Sequence, residues 1–205
     1  LDILLNTYGE DIVWSVPAFL REAVGYDSIT ISGNPQKLNP DFDPTAAGSL
    51  EQSALVVDTD KAAGPYMAIG GLVTADVLDT LEFNGAFFFS IDSTGLELQA
   101  AIRTELRIPT TDVTLFYLKG SVSIRIDGDG AYGRAELTRY GSSGLPPGWT
   151  LETTFVLEIN TATIAKTIRT YSFDESNGNK LTETDKTIRP LFFEFVAGGS
   201  LYFAL

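Results

Sequence analysis

Three stretches of the chain alternate apolar and polar residues with a period of two, and each ends at an Asx residue. In the first, Val77, Leu81, Phe83, Gly85, Phe87, Phe89 and Ile91 share one phase, with Glu82, Asn84, Ala86 and Ser90 between them and Asp79 and Phe88 as exceptions. In the second, Phe116, Leu118, Gly120, Val122, Ile124 and Ile126 alternate with Tyr117, Lys119, Ser121, Ser123 and Arg125; in the third, Trp149, Leu151, Thr153, Phe155, Leu157 and Ile159 alternate with Thr150, Glu152, Thr154, Val156 and Glu158. Successive side chains of a strand point to opposite faces, so each stretch reads as a long strand with one apolar face.

The runs stop at Asp92, Asp127 and Asn160, and a fainter one, Leu55-Val56-Val57, stops at Asp58, giving steps of 34, 35 and 33 residues. Such spacing is the mark of an internal repeat. Asp92-Ser93-Thr94-Gly95 and Asp127-Gly128-Asp129-Gly130 are followed by return strands of the same period, and glycine supplies the backbone freedom that a tight hairpin needs. Two departures stand out: the third return strand, from Ile164 to Thr170, puts Lys166 on the apolar phase, and Tyr171 to Asp185 reads as an inserted polar hairpin. The expected fold is therefore all-β, an antiparallel meander of long amphipathic hairpins in repeats of about 34 residues, as an extended sheet, sandwich or roll.

Ahead of it, Ser15 to Gly25 predicts a short N-terminal helix: Ser15 as cap, Pro17 in the first turn, Gly25 as stop. The division expected is an N-terminal segment over 1–48, with this helix and the acidic loop Asn39 to Pro44, and a β-repeat domain over 49–205. Its units end near Asp58, Asp92, Asp127 and Asn160, with an incomplete last unit at 195–205. Phe195, Ala197, Gly199, Leu201, Phe203 and Leu205 match Phe116 to Ile126 position for position, and the chain opens on Leu1 with Met67 as its single Met. These features suggest a piece of a longer, periodic protein.

Composition narrows the chemistry. With no Cys and no His, the chain has no disulfide, no thiolate metal site and no Ser-His or Cys-His dyad, and no enzymatic function is expected. Twenty-seven Asp and Glu against fourteen Lys and Arg leave a net charge of −13, which disfavours nucleic acid and anionic membrane surfaces. No window is long and apolar enough for a transmembrane helix.

The segments Phe83 to Leu96 and Leu118 to Gly130 resemble repeats of very large, repetitive, acidic bacterial surface or secreted proteins, over roughly residues 76–170 and 195–205. The resemblance implies an extracellular or cell-surface module, structural or adhesive, that associates with copies of itself or neighbouring repeats. A sheet apolar on one side must cover that side, by a second sheet, the helix, another copy or lipid. Alternatives are an outer-membrane β-barrel, a lipid-conducting β-groove, and a carbohydrate-binding β-sandwich with Trp149 at a loop edge and Glu97 and Glu136 as carboxylates. Aromatics on both strand faces make Phe88, Phe192 and Phe193 interface candidates. Asp127 and Asp129, one residue apart on a turn, are the candidate calcium ligands, although calcium needs six to eight oxygens. No other cofactor is expected.

Overall fold

The computed structural model describes residues 2–41, 53–77, 81–108, 113–140, 149–174 and 180–203. In chain order the elements are β1 (Asp2–Asn6), β2 (Ile12–Ser15), α1 (Ala18–Val24), β3 (Ser28–Ile31), β4 (Gln36–Leu38), β5 (Leu55–Val57), β6 (Tyr66–Val77), β7 (Leu81–Asp92), β8 (Gly95–Ile108), β9 (Val113–Asp127), β10 (Gly130–Tyr140), β11 (Trp149–Asn160), β12 (Lys166–Asp174), β13 (Lys180–Ile188) and β14 (Phe192–Phe203). One eight-stranded antiparallel sheet, ordered β1-β6-β7-β8-β9-β10-β11-β14, dominates; β2-β3, β4-β5 and β12-β13 are two-stranded ribbons. The expected all-β meander forms, with β6 to β11 side by side in chain order.

The two central hairpins turn on the Asx residues. Asp92 Oδ1 accepts from the Thr94 amide (2.7 Å) and Asp127 Oδ1 from the Asp129 amide (2.9 Å), each closing a turn that ends on a glycine at positive φ, Gly95 at 147° and Gly130 at 142°. Asn160 ends β11 differently. Its Oδ1 accepts from the Ala162 amide (2.9 Å) and its Nδ2 donates to the carbonyls of Ile164, Ile188 and Arg189 at 3.0 to 3.2 Å, fastening a chain that leaves the sheet. The expected third return strand is corrected here: β12 does not pair with β11 but joins β13 in a separate hairpin, and β14 takes the place beside β11. The polar segment thus belongs to that hairpin, and its residues 175–179 lie outside the described residues.

Three further expectations change. The strand ending at Asp58 is β5, which pairs with β4 outside the main sheet, and the neighbour of β7 is β6, whose Ala68, Gly70 and Gly71 blur the alternation. The division at 48/49 is bridged, since β1 pairs with β6 and β4 with β5. The helix forms and stops at Gly25 in the left-handed conformation, its amide donating to the Arg21 carbonyl (2.8 Å), but Pro17 rather than Ser15 occupies the cap position and no side chain caps it.

The core lies between one face of the sheet and the ribbons β4-β5 and β12-β13. Tyr66, Ala68, Ala86, Phe88 and Ala101 of the sheet meet Leu38, Leu55, Tyr171 and Leu181 of the ribbons, while Tyr132 and the partly buried Phe192 meet Ile168 and Ile188. Gly70 makes the close approach possible: a Cβ there would overlap the Leu55 side chain. Burying a side chain the size of Phe88 stabilises by about 2–3 kcal/mol.

Candidate functional site

The face that packs against the ribbons is the polar one. Alternation sends Ser90, Glu97, Gln99, Ser121 and Ser123 to the same side as Phe88 and Tyr132, and all of them are buried. Among them, Glu97 belongs to a layer of ion pairs on this side of the sheet. Lys61 bridges Asp92 (2.9 Å) and Glu97 (2.8 Å), and Arg125 reaches Glu97 (3.2 Å). Arg169 of β12 meets Asp58 (2.9 Å), Asp60 (2.7 Å) and Glu183 (3.0 Å). Arg134 is paired with Glu136 (2.7 Å) and with Glu158. A charged pocket of about 420 Å³ opens among Asp58, Asp60, Lys61, Glu97, Arg125 and Arg169, and each of these side chains is already in an ion pair.

Among the described residues, no element packs over the apolar face. Strand register aligns its residues in rows across the sheet: Leu5, Met67, Ile91, Leu96, Ile126 and Ala131; then Ile3, Ile69, Phe89, Leu98, Ile124, Gly133, Ile159 and Phe193; then Gly71, Phe87, Ala100, Val122, Ala135, Leu157 and Phe195; then Gly85, Ile102, Gly120, Leu137, Phe155 and Ala197. No polar side chain interrupts these rows. Ile3, Leu5, Ile91, Ile126, Phe193 and Phe195 are exposed, Phe193 to 68%. Neither a ribbon nor the helix supplies the cover; Phe19 on α1 is itself 81% exposed. Relief comes from side-chain size. Ala100, Gly120, Val122 and Ala135 floor an apolar trough of about 310 Å³, walled by Ile102, Leu137 and Phe155. Phe87 and Phe89 stand beside it on β7, and Phe195 packs edge-on against Phe155 with ring centroids 5.6 Å apart.

The candidates from the sequence are distributed over both faces. Phe193 projects from the open face, as an interface residue would. Phe88 is corrected: it is wholly buried under the ribbons and can touch no other copy. Phe192 lies against Tyr132, Ile168 and Ile188, with the Arg189 guanidinium 4.3 Å over its ring. Trp149 opens β11, and its side chain lies outside the described residues.

Asp127 and Asp129, the candidate calcium ligands, share one lysine. Lys166 Nζ donates to Asp127 Oδ2 (3.1 Å) and Asp129 Oδ2 (2.5 Å), so a built-in ammonium supplies the positive charge. Among the described residues no group of three acidic side chains is placed to hold a metal ion. Partial burial pushes the Asp127 carboxyl up, but the bond from Tyr132 Oη (2.7 Å), the Asp129 amide and Lys166 outweigh it and hold it at about 2. Burial and the bond to Asp127 push Tyr132 up to about 12.

Glu97 and Glu136 lie on the covered face, two strands apart and offset by four residues in register. That places them roughly 16 Å apart, beyond the 9.5 Å or so that spans a glycosidic bond. No protein-family model, curated protein or solved structure matches the chain.

Proposed function

We propose that the chain is a non-catalytic structural or adhesive module of an extracellular, repetitive protein, working by association through its apolar sheet face with copies of itself or neighbouring units. The observation that carries this reading is the size of that face. Eight strands about 4.8 Å apart and four rows along them span roughly 38 by 25 Å, close to 900 Å², whereas the largest apolar patch of a typical monomer is about 300–600 Å². The extracellular setting is supported by the resemblance of the hairpins around Asp92 and Asp127 to repeats of acidic bacterial surface proteins. Light scattering of the chain across a wide concentration range tests the reading: particles larger than one chain are expected, and a monomer with nothing bound at every concentration would remove it.

A second reading draws on the trough floored by Gly120 and Val122, whose lining suits an acyl chain. Native mass spectrometry of chain purified without detergent distinguishes it by co-purified lipid.

A further inference from the structure

Resting on that reading, we infer that the occupant of the open face is a second copy of this chain, packed face to face as a two-fold dimer. The physical requirements of the alternatives leave this one best satisfied. Sinking the face into a bilayer would carry the free backbone groups of the edge strands β1 and β14 toward hydrocarbon, where nothing satisfies them. An unrelated protein partner would need polar or charged groups to fix its register, and the rows offer none. A second copy needs only shape. With seven of the eight strands overlapping, roughly 840 Å² per partner meets the 800 Å² or so of a standard interface.

Charge permits the meeting as well. Every residue in the four rows is uncharged, so two copies bring these rows together without like charges in contact. Ridge and trough then provide complementarity. The row Phe87, Ala100, Val122, Ala135 runs from β7 to β10, placing the Phe87 and Phe89 ridge two strands from the centre of the trough at β9. A two-fold axis along the strands over β8 lays β7 of each copy on β9 of the other. Phe87 of each copy then lies over Val122 in the trough of the other, with Phe89 over Ile124 at its edge, and the two contacts are equivalent, as an isologous interface demands. The product is a β-sandwich whose inner faces are these rows and whose outer faces carry the ribbons.

On that axis Leu98 and Ala100 face their own counterparts. The chain has no Cys, so Ala100→Cys introduces a single thiol. A short bis-maleimide should join two Ala100→Cys chains, while Thr182→Cys, on the exposed side of β13, should stay single. In sedimentation the unsubstituted chain should run as a dimer, and Leu98→Asp should halve that mass with the far-UV spectrum unchanged.

Three results would overturn the inference. If oligomers persist unchanged in Leu98→Asp and Ala100→Cys does not cross-link, association runs through an edge strand, and the inference falls while the assembly reading stands. A monomer carrying acyl chains replaces the second copy with lipid. A monomer with nothing bound ends both the inference and the assembly reading.

Discussion

At the residue scale, the choice between Asp and Asn at a strand end decides where the chain goes next. Asp92 and Asp127 accept bonds within a two-residue turn, and the chain doubles back. Asn160 also accepts from the residue two ahead, but its amide donates to three carbonyls, two of them where β13 ends. Asn6 repeats this at the end of β1, accepting from the Tyr8 amide (2.9 Å) and donating to the carbonyls of Glu10 (2.8 Å) and Ser32 (2.9 Å) where the chain again leaves the sheet. A carboxylate cannot donate, so Asn160→Asp should destabilise the fold by about 3 kcal/mol, read as a lower denaturant midpoint with an unchanged slope. The period-two runs and the turns were legible because both are local. The departure of β12 was visible only as Lys166 on an apolar phase, and its meaning depended on Asp127 and Asp129 lying within reach, a long-range fact.

The Asp127 carboxyl gives a pH dependence with a fixed sign. Its folded pKa, about 2, lies below the ordinary 3.8, so its contribution to stability is complete above the ordinary carboxylate range and is lost as pH falls toward 2. The melting temperature should therefore drop between about pH 4 and pH 2, and drop less in Asp127→Asn.

At the scale of elements, short ribbons do what a second sheet does in a sandwich, because they bring Leu38, Leu55, Tyr171 and Leu181 against the few apolar side chains of the polar sheet face. Phe88→Ala should cost about 3–5 kcal/mol, measured by chemical denaturation, since it empties the centre of that contact. Phe87→Ala should leave the unfolding of a dissociated chain nearly unchanged and weaken association instead. Gly70→Ala puts a methyl where Leu55 sits and should lower stability by about 1–3 kcal/mol as β5 is pushed off the sheet. Alternation alone puts Phe88 and Phe193 on opposite faces but does not say which face is covered.

For the whole molecule, this is the point at which sequence pattern and structure part. An apolar phase ordinarily faces a protein's own core, and here it faces out, while the sheet's inward side holds Glu97, Gln99 and paired arginines. If two copies share that outward face, unfolding is coupled to dissociation. The melting temperature of the chain should then rise with protein concentration, and that dependence should vanish in Leu98→Asp.

The inversion also separates two kinds of selection. A library of variants screened only for folding should hold Gln99, Glu97, Arg169 and Phe88 fixed and let Leu98, Ile126 and Phe87 drift to polar residues. A library screened for assembly should hold both sets. The two sides of one strand, β8, thereby answer to different pressures, with Gln99 constrained by the chain it belongs to and Leu98 by the company it keeps.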